Sequence, residues 1–171
     1  MNTLIICLSI HKGNTLKIAK EMAEILKADI VKPSEVNPNK LAEYDLIGFG
    51  SGIYFGKHHI NLLKFVDNLP TFQGKKAFIL STSGLKQGII LKNLFNRTLK
   101  NKLLKKGFEI VGVFYCIGFD TSGLFKLVGG INKGRPNEKD LQKAREFAKE
   151  IISKIKLNKT TNVPNDILET D

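Results

Sequence analysis

The stretch LIICLSIHKGNT, residues Leu4–Thr15, carries the strongest structural signal in this chain. An apolar run ends in a small polar loop, and residues with helical spacing follow at once. This order predicts a strand, a turn and a helix whose first backbone N–H groups have no partner inside the helix. The hydroxyls of Ser9 and Thr15 and the basic side chains of His11 and Lys12 belong to the same turn. Such a turn predicts a binding site for an anion such as phosphate.

Gly13 and Asn14 complete this turn. Glycine lets the backbone approach an anion closely, and Asn14 is the predicted N-cap of the first helix. The hydroxyl of Thr15 is predicted to donate to a phosphate oxygen. The spacing matches neither GxxxxGK[ST] nor GxGxxG, which excludes a P-loop and a Rossmann fingerprint. A plain strand-to-helix turn without a ligand remains the alternative.

Short apolar runs alternate with helical patterns along the chain. The predicted strands are Thr3–Ser9, Asp29–Lys32, Asp45–Gly50, Lys76–Ser81 and Ile110–Ile117. The predicted helices are Thr15–Leu26, Ile60–Leu69, Ile89–Lys106 and Leu141–Ile155. This alternation is typical of an α/β fold with a parallel sheet and right-handed crossovers. Gly107 is predicted to end the third helix, and Asn137 to cap the last one.

Length and composition predict one domain, residues 1–156, followed by a flexible tail from 157 to 171. No apolar run is long enough to span a bilayer, and the first residues lack the features of a signal peptide. A cytoplasmic protein is therefore expected. Cys7 and Cys116 lie in apolar runs and form no CxxC pair. This pattern predicts two buried thiols without a disulfide or a metal.

The net charge of +11 raises the question of nucleic-acid binding. Lysine supplies almost all of the positive charge and is spread over every segment, and arginine occurs only at positions 97, 135 and 145. Base recognition favours arginine and clustered charge, so no nucleic-acid partner is predicted. A basic face that attracts an acidic partner protein is compatible with the composition.

Three later loops have the composition of binding loops. They are GSGIYFGKHH at 50–59, STSGLKQG at 81–88 and the glycine-rich segment Gly118–Arg135. Ligands of parallel sheets bind outside the carboxyl ends of the strands, so these loops and the first turn predict one cleft. Tyr54 and Phe55, flanked by glycines, are predicted to cover a planar ring, unless one of them packs inward on the next helix.

Three motifs together resemble the flavodoxin family. They are S-x-H-x-G-N-T at Ser9–Thr15, G-x-G-I-Y-F-G at Gly50–Gly56 and G-R-P-N-E-x-D-L at Gly134–Leu141. The resemblance is to flavodoxin-domain proteins of anaerobic bacteria and archaea, and it covers about residues 3–155. Of the T-x-T-G-N-T loop of common flavodoxins, only the last three positions match closely.

This resemblance implies a three-layer, doubly wound fold with a five-stranded parallel sheet in the order 2-1-3-4-5, and a bound FMN. It implies a phosphate site made by Ser9, His11, Lys12, Gly13, Asn14 and Thr15. It implies ring contacts from Ile53, Tyr54, Phe55, Gly56, Thr82, Ser83 and Gly84. No catalytic residue and no metal site is predicted.

The predicted function is electron transfer between redox partner proteins, with FMN supplying the chemistry. The alternative is an FMN-dependent oxidoreductase acting on a quinone, a porphyrinogen or another small substrate, with NAD(P)H as a candidate reductant. The long loop favours this alternative, because a carrier needs less cover over the ring. Lys126, Lys133 and Arg135 of this loop could meet an anionic substrate. A phosphate-responsive receiver is disfavoured, since Ser9–Lys12 and Gly50–Gly52 occupy the places where it needs acidic residues.

Lys57, His58 and His59 follow the aromatic loop directly. Long-studied flavodoxins are acidic, whereas this chain is basic. A cation near a flavin ring favours its reduced, anionic form, so we expect a weaker reductant than an acidic flavodoxin. The two histidines are predicted to be a polar helix start and not metal ligands, because neighbouring positions of a helix point in different directions.

Overall fold

Five parallel strands form the centre of the computed structural model, which describes residues 1–85, 89–121 and 123–161. The parallel strands are β1 (Thr3–Leu8), β2 (Asp29–Val31), β3 (Leu46–Tyr54), β5 (Lys75–Ser83) and β6 (Phe108–Ile117). A sixth, short strand is β4 (Lys57–His58). The α-helices are α1 (Asn14–Leu26), α2 (Ile60–Asp67), α3 (Ile89–Lys105) and α4 (Glu138–Thr161). Short 3₁₀ helices cover Pro33–Glu35, Pro38–Glu43 and Gly123–Val128.

The strand order is β2-β1-β3-β5-β6, and the short β4 pairs with β3 in the antiparallel direction. With β4 set aside, this is the predicted order 2-1-3-4-5, so the predicted flavodoxin-like fold is confirmed. The sequence analysis did not predict β4, because two residues are too few to show the alternation of apolar and polar side chains that marks a strand.

Two apolar layers separate the sheet from its helices. On one face, α1 and α4 bury side chains such as Ile18, Met22 and Ile151 against the sheet. On the other face, α2 and α3 do the same with Leu62 and Leu99. Because both faces are covered, the strands are apolar at consecutive positions, which is the pattern expected of a buried parallel sheet.

The predicted ends of two helices are confirmed. Asn137 and Asp140 cap α4 reciprocally: the Asn137 Oδ1 accepts from the Asp140 N–H (3.3 Å), and the Asp140 Oδ2 accepts from the Asn137 N–H (2.9 Å). Gly107 follows α3 with a φ of 77° and donates to the Leu104 carbonyl (3.0 Å). A side chain at Gly107 would collide with the Phe72 carbonyl, so this glycine is also required for packing.

Helix α4 continues to Thr161, beyond its predicted end at Ile155. It therefore includes the first residues that the sequence assigned to the tail. Leu157 and Lys159 have good helix propensity, and no glycine or proline stops the helix before Thr161. The rest of the predicted tail, 162–171, lies outside the described residues.

Both cysteines are buried and free, as predicted. Burial raises the pKa of the Cys7 thiol and of the Cys116 thiol to about 12. Within the described residues, no helix is long and apolar enough to cross a membrane.

Candidate functional site

The loops that follow β1, β3, β5 and β6 enclose one cavity of about 360 Å³ at the carboxyl edge of the sheet. The prediction that these loops share a cleft is confirmed. The cavity is lined by His11, Asn14, Ile53, Tyr54, Phe55, Gly56, Thr82, Ser83, Gly84, Leu85, Phe95, Phe119, Asp120 and Phe125. Its volume lies within the range of small-molecule sites. Residues 86–88 of the predicted loop after β5 lie outside the described residues.

The turn after β1 has a left-handed backbone at Lys12 (φ 56°) and Gly13 (φ 70°). Gly13 is the N-cap of α1, and no side chain caps this helix end. The prediction that Asn14 is the N-cap is wrong, because Asn14 is already helical. Its side chain instead donates to the Phe119 carbonyl (2.7 Å), which ties the start of α1 to the loop after β6. The first N–H groups of α1 are thus left to bind an anion.

Two hydroxyls of this turn have different surroundings. The Thr15 hydroxyl is buried and hydrogen-bonded to the Thr82 hydroxyl (2.8 Å), so it is already engaged within the protein. The Ser9 hydroxyl is buried too, but it has no hydrogen-bond partner among the described residues. An unsatisfied buried hydroxyl costs about 1–3 kcal/mol and calls for an explanation. A phosphate oxygen held at the uncapped end of α1 would satisfy it, so the turn fits the phosphate group of FMN.

Tyr54 connects the aromatic loop to this turn. Its ring centroid lies 5.7 Å from that of His11 and 5.2 Å from that of His59. Burial raises the pKa of the Tyr54 hydroxyl, and a hydrogen bond with the backbone of His11 opposes this shift. A methyl group at Gly52 would come within 3.1 Å of the Tyr54 side chain, so the glycine makes room for this inward position. The phosphate turn and the aromatic loop are therefore neighbours.

Phe55 has the opposite orientation. It lies at the turn between β3 and β4 with a φ of 49°, followed by Gly56 with a φ of 78°. Its side chain is fully exposed at the mouth of the cavity. Of the two adjacent aromatics, one thus packs inward and one projects outward. The inward contacts of Tyr54 are with His11 and with His59, which is the N-cap of the next helix, α2.

A buried polar network lies behind the aromatic loop. The Asn96 amide group donates to the Lys92 carbonyl (2.7 Å), so its oxygen faces the Nε2 of His58 (2.9 Å). His58 therefore carries its proton on Nε2, and its Nδ1 accepts from the Ser51 hydroxyl (2.8 Å). Burial lowers the pKa of His58 to about 4, so its ring is neutral at pH 7. The ring thus supports the β3–β4 turn without adding charge to it.

The predicted polar helix start applies to only one of the two adjacent histidines. His59 is the N-cap of α2, and its Nδ1 accepts from the Asn61 N–H (3.2 Å). His58 belongs instead to β4 and is buried. Nothing in its sequence neighbourhood distinguishes it from His59, because the hydrogen-bond partners come from β3 and α3. No group of three or more potential metal ligands occurs among the described residues.

The loop after β6 closes the remaining side of the cavity. Phe119 lies under the Lys12 ammonium, which is 5.5 Å from the ring centroid. Asp120 and Ile131 form an antiparallel bridge that folds the loop back on itself. The Asn132 side chain donates to the Gly84 carbonyl (2.6 Å) in the loop after β5. These contacts fix the loop to two of the other three loops.

The predicted site residues fall into two groups. Nine of the thirteen line the cavity, while Ser9, Lys12, Gly13 and Thr15 lie in the phosphate turn beside it. Five lining residues were not predicted as site residues: Leu85, Phe95, Phe119, Asp120 and Phe125. Phe119 and Phe125 belong to the long segment Gly118–Arg135. Its apolar stretch FKLVGGI, residues 125–131, is the sequence feature that could have indicated their role in the site. Phe95 belongs to α3, where helical spacing alone cannot separate a side chain that lines the cavity from one that packs in the core.

Arg135, expected to meet an anionic substrate, instead pairs with Asp140 (2.6 Å). This contact directs its guanidinium to the start of α4. The side chain of Lys126 lies outside the described part of the structure.

Known proteins similar to this chain agree with its fold. A flavodoxin domain model matches residues 5–118. A Methanocaldococcus jannaschii protein described as uncharacterised is 53% identical over 152 residues, 89% of this chain and 99% of its own.

Three solved structures share the fold at low sequence identity. A flavodoxin from the domain Archaea has a TM-score of 0.66 at 20% identity and covers 91% of this chain and 99% of its own. Flavodoxin 2 from Bacillus cereus has a TM-score of 0.66 at 19% identity, with 90% and 99% covered. The apo form of an NADH:FMN oxidoreductase, EMOB, has a TM-score of 0.61 at 16% identity, with 90% of each chain covered. With a matching domain model over most of its length, this chain belongs to the flavodoxin domain family.

Proposed function

We propose that this protein binds FMN in the cavity at the carboxyl edge of its sheet and carries electrons between redox proteins. The observation that supports this most strongly is the contact between the two loops. The rings of His11 and Tyr54 are 5.7 Å apart, so a phosphate turn and an aromatic loop border the same cavity. One mononucleotide can reach both.

The phosphate group would be held by the turn of residues 9–15. The Ser9 hydroxyl and the first N–H groups of α1 supply donors, Lys12 supplies positive charge, and the His11 ring lines the adjoining cavity. The ring would lie between residues 53–56 and residues 82–84. Phe119 extends the predicted set, because it lines the same cavity.

Electron transfer is the simplest activity for such a site. The bound flavin supplies the redox chemistry, and the protein supplies binding and electrostatics. The proposed domain is residues 1–156, to which the last turn of α4 is added. We propose that the protein is cytoplasmic and that its partners are redox proteins with acidic surfaces.

An FMN-dependent oxidoreductase is the second candidate. It is favoured by the loop after β6, which adds Phe119 and Phe125 to the cavity and gives more cover than a carrier needs. An NADH:FMN oxidoreductase is among the proteins of similar fold. A quinone, a porphyrinogen or another small substrate would then bind between this loop and the flavin.

The test begins with the absorbance spectrum of the purified protein, before and after incubation with FMN and removal of the unbound flavin. Retained flavin bands at one FMN per chain are expected, and riboflavin, which lacks the phosphate, should be retained poorly. A protein that takes up no FMN would contradict the proposal. Oxidation of NADH or NADPH by the loaded protein, faster than by free FMN, would favour the oxidoreductase over the carrier.

A further inference from the structure

A second groove of about 650 Å³ runs along α3 beside the proposed FMN cavity. It is lined by Phe55, Gly56, Lys57, Leu94, Phe95, Arg97, Thr98, Asn101, Lys102 and Lys105. Phe55, Gly56 and Phe95 also line the first cavity, so the two depressions meet at the β3–β4 turn. Whatever occupies the groove therefore reaches the mouth of the first cavity.

The groove is strongly positive. Four of its lining residues are basic and none is acidic. Lys102 is paired with Asp67, but Lys57, Arg97 and Lys105 have no carboxylate within salt-bridge distance in the part of the chain that the structure describes. Helix α3 as a whole contains four lysines, one arginine and no acidic residue. Such a concentration of one sign of charge attracts and orients an oppositely charged partner.

Apolar side chains border the same groove. Leu94 is 54% exposed, and Phe55 projects fully into solvent. The inner face of α3 is already buried through Leu99 and Leu103, so these outer side chains do not serve the core. Exposed apolar groups beside charged ones are typical of a surface that binds another protein.

We propose that this groove docks a carboxylate-rich segment of a redox partner protein, with Phe55 as the apolar contact at the mouth of the first cavity. The redox role of this partner rests on the proposed function. The binding itself rests on the charge and shape of the groove, which do not require a bound flavin. Partner carboxylates would meet Lys57, Arg97 and Lys105. Apolar contact at Phe55 would bring the partner next to the β3–β4 turn.

Two other occupants fit the groove less well. A flat membrane surface cannot enter a concave groove to reach the cations that line it. Nucleic acid is disfavoured because the groove offers one arginine and one fully exposed aromatic side chain. A protruding acidic segment matches both the concave shape and the charge.

The experiment measures binding of a fluorescein-labelled decaglutamate peptide and of a small acidic ferredoxin to the full chain, with and without FMN. Phosphatidylglycerol vesicles and NADPH are measured as competing classes of ligand. The groove variant is Arg97→Glu with Lys105→Glu. The matched control is Lys149→Glu with Lys154→Glu, which makes the same change in net charge at exposed positions of α4 on the other face of the sheet. A milder pair, Arg97→Gln with Lys105→Gln, serves if the first variant fails to fold.

We expect the groove variant to weaken binding of both probes at least tenfold at low salt, and the control to weaken it less than twofold. Phe55→Ser should weaken ferredoxin binding while sparing the peptide. Equal losses in the groove variant and the control would overturn the proposal, because net charge alone would then explain binding. So would a groove variant that loses binding to phosphatidylglycerol vesicles or to NADPH and keeps the ferredoxin.

FMN retention is measured separately for every variant. Docking by a protein that binds no FMN would leave this inference standing and contradict the proposed function. FMN binding without any groove-dependent docking would do the reverse.

Discussion

Ser9 and Thr15 have similar side chains and lie in the same turn, yet of these two hydroxyls only that of Ser9 lacks a hydrogen-bond partner among the described residues. For Ser9→Ala we expect FMN affinity to fall about 10- to 100-fold, because a hydrogen bond to a charged group contributes about 1.5–3 kcal/mol. Stability without FMN should not fall, since a buried, unsatisfied hydroxyl is removed. Fluorescence titration and urea unfolding measure the two effects.

The matched control for Ser9→Ala is Ser153→Ala on α4, whose hydroxyl donates to the Lys149 carbonyl (3.1 Å) far from the cavity. Its FMN affinity should equal that of the unaltered protein. Riboflavin affinity should be the same in all three proteins. An equal loss for FMN and riboflavin in Ser9→Ala would mean that the hydroxyl does not face the phosphate.

His58 makes stability depend on pH. Burial lowers its pKa from the ordinary 6.5 to about 4 in the folded protein, so the unfolded chain binds more protons between these values. The stabilising effect is complete above pH 6.5 and is lost as pH falls towards 4. The loss amounts to roughly 3 kcal/mol, at 1.36 kcal/mol per pKa unit. Urea unfolding from pH 4 to 8 measures it.

His58→Gln separates this effect from the protonation of carboxylates. The variant should be less stable at pH 7, because the hydrogen bonds to Ser51 and Asn96 are disturbed. Between pH 6.5 and 4 its stability should fall less steeply than that of the unaltered protein. The same slope in the variant and the unaltered protein would show that folding does not lower the pKa of His58.

Lys57 is the exposed cation nearest in sequence to the aromatic loop, and neutral His58 adds no charge beside it. Lys57→Glu should lower the reduction potential of bound FMN, because negative charge disfavours the reduced, anionic ring. Reversing one of two unit charges ~10 Å apart in water is worth roughly 1 kcal/mol, or about 40 mV for one electron. A spectroscopic redox titration measures the shift, and Lys149→Glu is its control. An unchanged potential would contradict this expectation.

At the scale of elements, α1 and the loop after β6 are joined by one side chain. Asn14 donates to the Phe119 carbonyl, and a methyl group at Gly118 would come within 2.5 Å of the Asn14 side-chain nitrogen. Asn14→Ala should destabilise the protein by about 1 kcal/mol. It should also speed hydrogen exchange in the segment 118–135 and lower FMN affinity.

Asn61→Ala is a suitable control for Asn14→Ala, because Asn61 is exposed in the first turn of α2. It should leave exchange in 118–135 unchanged. If Asn14→Ala also leaves that exchange unchanged, the loop is held mainly by its other contacts, such as the Lys17 ammonium on the Pro136 carbonyl (2.8 Å).

At the scale of the whole molecule, FMN binding should raise the melting temperature. A ligand that binds only the folded state at 100 times its dissociation constant stabilises it by about 2.7 kcal/mol, which is roughly 5–10 °C for a chain of this size. Differential scanning fluorimetry across an FMN series measures this rise. Riboflavin at equal concentrations should give a smaller shift, and no shift with FMN would contradict binding to the folded protein.

Sequence reasoning predicted the strands and helices of this molecule because periodicity is a local property, whereas the strand order was implied by the resemblance to the flavodoxin family. The apolar runs of β1, β3 and β5 and the helical spacing of α1 can each be read from a few neighbouring residues. The Asn137 cap is equally local, since its partner is three residues away. The same reasoning was wrong for Asn14, because the contact that holds it comes from Phe119, far along the chain.

The sequence by itself determined an α/β sheet, a strand-to-helix turn at residues 9–15 and an aromatic loop at 50–56. Only the tertiary structure decided which groups in them are free: Ser9 but not Thr15 lacks a partner among the described residues, Tyr54 turns inward while Phe55 projects, and His58 is buried where His59 is not. The physical reason is that a local pattern specifies backbone shape, whereas burial and hydrogen bonding depend on residues that folding brings from distant positions.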